Sequence, residues 1–383
     1  MMSLARQAAF QVLLQVEGGG YASDLLRSST REFDSRDAGL ASEIVFGYLR
    51  LRGQLDFLIQ HLSGRKPARL DPEVLISMRM GVFQLRCLDR VPAHAAVAES
   101  VELVKRAGKR SAAGFVNAVL RKVERGPVAW PDRPTELSQP AWLLERWERH
   151  FGPQTATSIA RAFLRPPETF VRIPPGAAPD GIEVEATELP GCYRLLSGDP
   201  GAFRIQDIGS QTVVGLLDLE PGLTYLDLCA APGNKTAQAL EHGVRAVACD
   251  LHHSRLRPLK NLGCGLVVLD GTVPLPFGTR FDRVLLDVPC SGTGTLGRNP
   301  EIKWRLRAED LADLHQRQVK LLRNALDLLA PGGKLVYSTC SLETEENEAV
   351  LEEVLRYVPE HRLQRIPGRD AGDGFFAAMI GSV

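Results

Sequence analysis

The chain has 383 residues, 44% of them hydrophobic, and a formal net charge of zero. At roughly 100–200 residues a domain, this length and composition predict two or three globular domains, each with its own core. The sequence contains neither an apolar run of ~20 residues, which a membrane span would need, nor an N-terminal secretory signal. These features argue against a membrane partner, and we expect a soluble cytoplasmic protein that acts as a monomer.

Positive charge is concentrated in the first third of the chain. Residues 1–135 carry 20 Lys and Arg against 14 Asp and Glu, although the whole chain is balanced. A basic segment of this kind favours a polyanionic partner near the N-terminus. Ordinary surface charge explains the same excess equally well, so the imbalance alone does not decide between the two.

The cysteines argue against a metal site and against disulfides. Seven are present, without a C-x-x-C pair, so a zinc site or an iron–sulfur cluster is not expected. Their odd number and wide spacing indicate free thiols in a reducing compartment. Cys87 and Cys249 lie in apolar runs and are predicted to be small core residues.

Apolar periodicity predicts an all-α domain over residues 1–130. Residues 9–16 follow the i, i+3, i+4, i+7 pattern of a helix, and a longer stripe covers residues 40–58. Asp71, just before a proline, is predicted to cap a helix, and Ser111 is predicted to cap the last one. No strand pattern interrupts these segments.

Residues 131–200 are predicted to form a linker and a small connecting subdomain. Prolines punctuate the stretch 126–140, where they remove hydrogen-bond donors and disfavour helix. A helical segment over 142–164 follows, and then the short strand-like runs ETFVRI and IEVEATEL.

From residue 201 to 383 the pattern changes to strands that alternate with helices. The apolar runs are TYLDLC, RAVACD, GLVVLD, FDRVLLDVPC and KLVYSTC, and each ends in an acid or a cysteine. This alternation predicts an α/β domain with a mainly parallel sheet. Ligands bind at the carboxyl ends of such strands, so we expect the acids and cysteines to lie beside a ligand.

The turn CAAPGNKT after the first of these strands is the predicted cofactor loop. It lacks both the G-x-G-x-x-G spacing and the first glycine of a P-loop. Asp250 ends the next strand, 23 residues after Asp227, a distance typical of an acid that holds ribose hydroxyls. Asp270 follows the third strand, within reach of an adenine. Any one of these aspartates is more often a turn residue, but three at successive strand ends favour a nucleoside without a pyrophosphate. S-adenosylmethionine fits, since its cationic groups tolerate several carboxylates.

Cys290 and Cys340 differ from the other cysteines, because each follows a strand end and precedes a turn of small polar residues. A thiolate is useful for methylating cytosine, whose carbon 5 is a poor nucleophile until a thiolate adds to carbon 6. An unperturbed thiol, with a pKa of about 8.5, needs activation by nearby donors or by the helix predicted near 344–346. Asp287 is placed to steady the adduct near ring nitrogen 3, and Cys290 to assist the release of the product.

Three segments together resemble one enzyme family. LDLCAAPGNKT, LLDVPCSGTGTLGRNPEIKW and YSTCSLETEENE are similar, in order and spacing, to motifs of the RNA 5-methylcytosine methyltransferases of the NOL1/NOP2/Sun type. The resemblance implies a Rossmann-like class I methyltransferase domain that uses S-adenosylmethionine. It also implies that Cys340 is the nucleophile and that Cys290 takes part in product release.

The same resemblance implies a set of cofactor-binding residues. Asn234 stands where the family usually has glycine, a mild change in a turn. The implied contacts are Cys229, Ala230, Ala231, Pro232, Gly233, Asn234, Lys235, Asp250, Arg255, Asp270 and Asp287.

The N-terminal region has a resemblance of its own. VPAHAAVAESVELVKRAGKRSAAGFVNAVLRKV is similar to the helical RNA-binding domain of the antitermination factor NusB. Its fusion to this methyltransferase is characteristic of a bacterial enzyme that modifies 16S ribosomal RNA. The resemblance thus implies RNA as the partner, and basic residues can neutralise its phosphates, although a solvated helix face would look alike. The predicted RNA-binding residues are Lys105, Arg106, Lys109, Arg110, Arg121 and Lys122.

Other functions remain open from the sequence. Transfer RNA is an alternative substrate, though the NusB-like region favours ribosomal RNA. A DNA cytosine methyltransferase would use the proline-cysteine residue, Cys290, as nucleophile, but its glutamate-asparagine-valine motif is not found. A non-catalytic RNA-binding assembly factor is a further alternative, against which the retention of both cysteines and of the cofactor loop argues.

Overall fold

The computed structural model describes residues 3–359 and 361–381. Contacts divide the chain into two units. The first reaches to Pro166 and also includes Leu296–Arg305, and the second comprises Pro167–Thr295 and the chain from Leu306 onwards. The predicted boundaries at 130 and 200 differ from this division. The prolines at 126–140 mark a connection between helices rather than the edge of a core, so the helices after them remain in the first unit.

The first unit is helical, and the first strand of the chain begins only at Phe170. The predicted all-α fold of the N-terminal region is therefore confirmed. Within the described chain, no helix is both long enough and apolar enough to cross a membrane. The helices up to Pro166 are α1 (Leu4–Glu17), α2 (Ala22–Ser29), α3 (Ser35–Ser63), α4 (Pro72–Cys87), α5 (Ala93–Arg106), α6 (Ala113–Leu120), α7 (Arg133–Glu136), α8 (Ala141–Phe151) and α9 (Pro153–Ala162).

Two of the predicted helix caps are wrong. Asp71 makes no capping hydrogen bond to α4, and its carboxylate instead pairs with Lys109 Nζ at 2.9 Å. Pro72 starts the helix without a cap, because its φ is already helical and it has no N–H to satisfy. Ser111 lies inside a 3₁₀ turn, Arg110–Ala112, and makes no capping bond to α6.

Of the two cysteines predicted to lie in the core, one is buried and the other is exposed. Cys249 is fully buried in the second unit, as predicted. The prediction for Cys87 is wrong, because it lies at the exposed end of α4. It is the last residue of α4, and the buried part of that helix ends at Leu85, so Cys87 lies where the helix emerges into solvent.

Helices α3 and α4 pack closely at a single glycine. A Cβ atom built on Gly47 would lie only 1.9 Å from Cζ of Phe83, whose side chain is 3% exposed. Protein interiors are close-packed, so a buried ring has little room to move aside. Gly47 therefore sets how closely the two helices approach.

Gly47→Ala should destabilise the first unit by roughly 1–3 kcal/mol, because the added methyl group overpacks the contact with Phe83. Gly39→Ala on the same helix is the matched control. A Cβ at Gly39 meets nothing within 4 Å, and alanine should stabilise the helix there by about 0.5–1 kcal/mol. Urea unfolding of both variants checks the pair, and equal effects would contradict the close approach.

The second unit contains two sheets. Its strands are β1 (Phe170–Arg172), β2 (Glu183–Ala186), β3 (Cys192–Ser197), β4 (Arg204–Ile205), β5 (Thr224–Asp227), β6 (Arg245–Asp250), β7 (Gly265–Val268), β8 (Phe281–Asp287), β9 (Leu329–Thr339), β10 (Arg362–Arg365) and β11 (Phe375–Gly381). The first four form an antiparallel sheet in the order β2-β3-β1-β4. The other seven form the larger sheet in the order β10-β11-β9-β8-β5-β6-β7.

The larger sheet confirms the predicted α/β fold. Strands β9, β8, β5, β6 and β7 run parallel, and β11 and β10 add an antiparallel edge that the sequence patterns did not reveal. The remaining helices are α10 (Ile208–Gly215), α11 (Asn234–Leu240), α12 (His253–Leu256), α13 (Ile302–Arg305), α14 (Asp310–Asp327) and α15 (Glu348–Leu355).

The strand order defines where a ligand would bind. The chain proceeds from β5 to β6 and β7 on one side and then continues with β8 on the other side of β5. In open α/β sheets the crevice at such a reversal, outside the carboxyl ends of the strands, is the usual binding site. The loops after β5 and β8 therefore face this crevice.

The segment Leu296–Arg305 belongs to the first unit, where it is held by hydrogen bonds to backbone carbonyls. Lys303 is fully buried, and its Nζ donates to the carbonyl oxygens of Arg50 at 3.0 Å and Ser138 at 2.6 Å. Trp304 Nε1 donates to the carbonyl of Leu49 at 2.7 Å. Burial lowers the pKa of Lys303 well below its usual range, with Arg50 acting in the same direction.

Candidate active site

The predicted catalytic residues and the cofactor loop come from three neighbouring strands of the large sheet. The cofactor loop follows β5, Cys290 follows β8, and Cys340 comes directly after β9. Because these strands are parallel, their carboxyl ends lie along one edge of the sheet. The pairing of Asp287 with Ser338 fixes the register of β8 against β9 at that edge.

The two cysteines that the sequence singled out lie in contact. The Sγ atoms of Cys290 and Cys340 are 3.4 Å apart, and both residues are half-buried. The backbone beside them is also joined, since the amide of Gly294 donates to the carbonyl of Cys340 at 2.9 Å. A Cβ on Gly294 would lie 2.3 Å from the carbonyl oxygen of Gly374, so only glycine fits there.

The surroundings of Cys290 favour the neutral thiol. The contact with the sulfur of Cys340 raises the pKa of Cys290 most, and burial adds to the effect. The negative charges of Glu346 and Asp287 act in the same direction. Cys290 therefore keeps its proton at neutral pH, within hydrogen-bond reach of the Cys340 sulfur.

Asp287, at the end of β8, forms an ion pair with the lysine of the cofactor loop. Lys235 Nζ lies 2.7 Å from Oδ2 of Asp287, and the Ser338 hydroxyl donates to Oδ1 at 2.8 Å. Burial alone would lower the pKa of Lys235, but the charge of Asp287 and its hydrogen bond outweigh it and raise that pKa. The site thus holds a carboxylate and an ammonium group side by side.

The cofactor loop turns sharply before helix α11. The Ala231–Pro232 peptide bond is cis, and Gly233 has a φ of 104°. A Cβ on Gly233 would lie 2.6 Å from Cγ of Leu259, so both backbone conformation and space favour glycine. Asn234, which begins α11, donates its side-chain amide to the carbonyl of Ile205 at 3.1 Å.

The aspartates at the strand ends have different roles. Asp227 is 1% exposed and accepts the Thr236 hydroxyl at 2.6 Å, so it anchors the cofactor loop rather than facing a ligand. Asp250 accepts the amide of His252 at 3.0 Å and lies 3.8 Å from Arg255. Asp270 is exposed after β7. Hydrogen bonds from Thr272 lower its pKa and keep it ionised.

This set of groups fits S-adenosylmethionine. Asp250, Asp270 and Asp287 follow three strands of the same sheet and offer carboxylate acceptors to ribose hydroxyls, an adenine amine and a cationic amino group. Cys229 lies half-buried in the loop, and burial raises the pKa of its thiol well above the usual range. It therefore contributes an apolar surface and not a nucleophile.

Sequence reasoning missed a polar network beneath the two cysteines. Glu346 is fully buried and accepts hydrogen bonds from Ser291 and Ser341, the residues that follow Cys290 and Cys340. Asn347, also buried, accepts the Thr339 hydroxyl at 2.6 Å and donates to the carbonyl of Ser341 at 3.1 Å. The expected helix start at 344–346 is a 3₁₀ turn, and α15 begins only at Glu348. The repeated cysteine-serine pair was the only sequence signal for this network.

Comparison with known proteins agrees with this geometry. The 16S rRNA methyltransferase RsmB/F family model matches residues 214–375, and the NusB family model matches residues 3–125. The chain is 31% identical to the probable ribosomal RNA small subunit methyltransferase B of Bacillus subtilis (strain 168), over 98% of both chains. It is 32% identical to ribosomal RNA small subunit methyltransferase B of Klebsiella pneumoniae (strain 342), over 99% of this chain and 97% of the relative. The crystal structure of PH0851 has the same fold, with a TM-score of 0.82 at 24% identity over 99% and 98% of the two chains.

The fold and the site therefore define a methyltransferase whose methyl donor is S-adenosylmethionine. Full-length identity above 30% makes the relationship more specific. The chain belongs to the RsmB/F methyltransferase family, with a NusB-family region at its N-terminus.

The buried carboxyl of Asp227 should make stability depend on pH. Burial raises its pKa to about 7, against 3.8 for an ordinary aspartate. The folded state thus holds a proton that the unfolded chain releases, so the unfolding free energy falls as pH rises from about 4 to 7. Asp227→Asn should remove this fall, and the difference in stability between variant and wild type should change by a few kcal/mol across that range.

Asp282→Asn is the control for this measurement. Hydrogen bonds from Thr224 lower the pKa of Asp282, so its contribution changes only below pH ~4. Its stability difference from wild type should stay flat between pH 4 and 7. Urea unfolding at several pH values tests both variants, and a flat difference for Asp227→Asn would show that this carboxyl is ionised when folded.

Proposed function

We propose that this protein transfers a methyl group from S-adenosylmethionine to carbon 5 of a cytosine in RNA, through a covalent bond between Cys340 and carbon 6. The observation that carries the proposal is the 3.4 Å contact between the sulfurs of Cys290 and Cys340, beside the ion pair of Lys235 and Asp287. One thiol suffices for attack, so a second thiol in contact with it supports a reaction that must also release the nucleophile.

The first step is the addition of the Cys340 thiolate to carbon 6, which forms the S–C bond and makes carbon 5 an enamine carbon. The electron pair displaced from the C5–C6 double bond is taken up at ring nitrogen 3, which binds a proton from solvent, and the Asp287 carboxylate accepts a hydrogen bond from the new N–H. Lys235 holds this carboxylate in place by their 2.7 Å ion pair. Bound S-adenosylmethionine supplies an electrophilic methyl group to this carbon.

The second step is release. Solvent takes the proton from carbon 5, and the electron pair left behind re-forms the C5–C6 double bond as the C6–S bond breaks. Ring nitrogen 3 returns its proton to solvent. The Cys290 thiol, which keeps its proton at neutral pH, donates a hydrogen bond to the departing Cys340 sulfur. Because a hydrogen bond to an anion is stronger than one to a neutral group, this contact stabilises the leaving thiolate.

We further propose small-subunit ribosomal RNA as the substrate. Both relatives compared above carry the name ribosomal RNA small subunit methyltransferase B and match this chain over nearly its whole length. A cytosine must leave its stack to reach a thiol, which costs least in unpaired RNA. An unpaired loop of the 16S molecule is therefore the proposed target.

The proposed RNA contacts lie around the end of α5 and of α6, in the NusB-family region. Their charges are not equally free, because Arg106 pairs with Glu102 at 3.1 Å and Lys109 with Asp71 at 2.9 Å. Among the described residues, the side chains of Lys105, Arg110, Arg121 and Lys122 have no ion-pair partner, but Arg121 Nε donates to Asn117 Oδ1 at 3.1 Å and Lys122 Nζ donates to the carbonyl of Leu62 at 3.5 Å. We infer that Lys105 and Arg110 make the larger contribution to phosphate binding, while Arg121 and Lys122 lie after α6 and extend the surface.

Replacing each active-site cysteine should separate attack from release. Cys340→Ala should abolish both methyl transfer and covalent adducts, since no thiolate reaches carbon 6. Cys290→Ala should lose turnover but accumulate a protein–RNA adduct, visible as a slow band on a denaturing gel with in vitro transcribed 16S RNA and S-adenosylmethionine. Cys87→Ala, which removes an exposed thiol of the first unit, is the control and should behave as wild type.

Two results would contradict these assignments. If Cys290→Ala blocks the adduct while Cys340→Ala still forms it, the roles of the thiols are exchanged. If calorimetric titration detects no binding of S-adenosylmethionine to the wild type, the protein is a non-catalytic RNA-binding factor. Bisulfite sequencing of ribosomal and transfer RNA after the reaction distinguishes the proposed substrate from the alternative one.

The double variant Lys105→Ala/Arg110→Ala should bind RNA more weakly and with less salt dependence. Each lost phosphate contact lowers the slope of log affinity against log salt by about 1, so we expect a change of roughly 2. Arg27→Ala/Arg36→Ala removes two exposed charges elsewhere in the first unit and serves as the control. Adding Arg106→Ala and Lys109→Ala should cost less than the first pair. Unchanged affinity of the first pair at moderate salt would contradict the assignment.

A further inference from the structure

We propose that Glu346 is a positioning residue whose buried carboxylate ties the loop after Cys290 to the loop after Cys340 and thereby holds the two sulfurs in contact. Glu346 itself touches neither sulfur, and its effect is exerted through Ser291 and Ser341. The consequence for methyl transfer rests on the function proposed above, whereas the geometric claim concerns only this chain.

The carboxylate of Glu346 is shared between the two loops. Its Oε1 accepts the backbone amide of Ser291 at 2.7 Å and the Gln318 side-chain amide at 3.0 Å. Its Oε2 accepts the hydroxyls of both Ser291 and Ser341. The two hydroxyls are themselves 3.1 Å apart. One side chain therefore bonds to the residue that follows each cysteine.

The position of Glu346 is itself fixed by its neighbours. The Tyr337 hydroxyl, on β9, donates to the backbone carbonyl of Glu346, and Tyr337 is fully buried. The next residue, Asn347, binds both sides of Cys340 through Thr339 and the carbonyl of Ser341. The carboxylate is thus held against the same strand that carries the nucleophile.

The unusual electrostatics of Glu346 argue for a specific role. It is 0% exposed, and the described part of the chain offers it no Lys or Arg within ion-pair distance. A buried charge is costly to desolvate unless hydrogen bonds replace its water. Here four donors do so, and three of them belong to the two serines. The hydrogen bonds that compensate for the burial of Glu346 are therefore largely the same bonds that connect the two loops.

Glutamine and alanine substitutions distinguish geometry from charge. In Glu346→Gln the amide oxygen can still accept from Ser291 N and Gln318, and the amide nitrogen can donate to the two hydroxyls, which accept as well as donate. In Glu346→Ala all four bonds are lost. Because both variants remove the charge, any difference between them reports on positioning.

The first experiment measures the sulfur contact directly, without RNA or S-adenosylmethionine. Diamide oxidises two adjacent thiols to a disulfide and is itself reduced to the hydrazine. Wild type should form the Cys290–Cys340 disulfide rapidly, as mapped by peptide mass spectrometry. Glu346→Ala should form it about 100-fold more slowly, since a displacement of ~1 Å can cost that factor. Glu346→Gln should stay within a few-fold of wild type.

Glu353→Ala is the matched control. Its carboxylate lies in the same region of the chain and, among the described residues, bonds to His315 and Arg323. Its disulfide should form at the wild-type rate. Circular dichroism and thermal melting establish that each variant is folded. If Glu346→Ala does not fold, Ser341→Ala replaces it, since this variant removes one of the two serine links and should slow the disulfide by a smaller factor. The proposal is overturned if the folded Glu346→Ala variant, or Ser341→Ala in its place, forms the disulfide at the wild-type rate.

The second experiment connects positioning to methyl transfer. Glu346→Ala should lower kcat by about 100-fold and leave KM for RNA and for S-adenosylmethionine within a few-fold, with activity restored by glutamine. A purely structural role would lower only the amount of folded enzyme, which titration of the binding sites for S-adenosylmethionine counts, and would leave kcat per folded enzyme unchanged. If the wild type forms the disulfide but transfers no methyl group, the proposed function fails while the positioning role stands.

Discussion

The parallel pairing of β8 with β9 is the constraint on which the site depends. Asp287 and Ser338 face each other across this pair, and Cys290 and Cys340 follow them by three and two residues. A shift of the register by one residue would turn every side chain to the other face of the sheet. The sulfur contact would then be lost, together with the hydrogen bond from Ser338 to Asp287. The positions of the reactive side chains at this edge therefore depend first on the backbone hydrogen bonds between β8 and β9.

The aspartates at this edge of the sheet have different roles because their immediate partners differ. Asp227 is buried with only hydroxyl donors, so its pKa rises to about 7. Asp287 has an ammonium partner at 2.7 Å, and Asp270 is exposed with two hydrogen bonds from Thr272. Three aspartates after three strands of one sheet thus serve as a loop anchor, an ion-pair partner and an exposed acceptor. In the sequence alone the three look alike, because each is an aspartate at or near the end of an apolar run.

Much of this arrangement could be predicted from the sequence. Apolar runs that end in Asp or Cys indicated both the parallel sheet and the crevice, since the period of a strand and the position of its last residue are local properties. The network around Glu346 could not be predicted in this way. An acid in a run such as ETEEN resembles an exposed helix start, and its burial depends on β9, on α14 and on the turn after Cys290. The antiparallel edge was missed for the same reason, because the pairing of β11 with β9 is a long-range contact.

The segment LLDVPCSGTGTLGRNPEIKW shows how a single motif can serve two structural purposes. Its first part ends at Thr295 and forms the turn that carries Cys290, while the part from Leu296 onwards belongs to the helical unit. In that unit Lys303 and Trp304 are bound through backbone carbonyls. A carbonyl acceptor is available whatever side chain its residue carries, so these bonds depend on the path of the helices and not on a matching partner residue. One motif therefore contributes the turn that carries Cys290 to the second unit and two side chains bound by backbone carbonyls to the first.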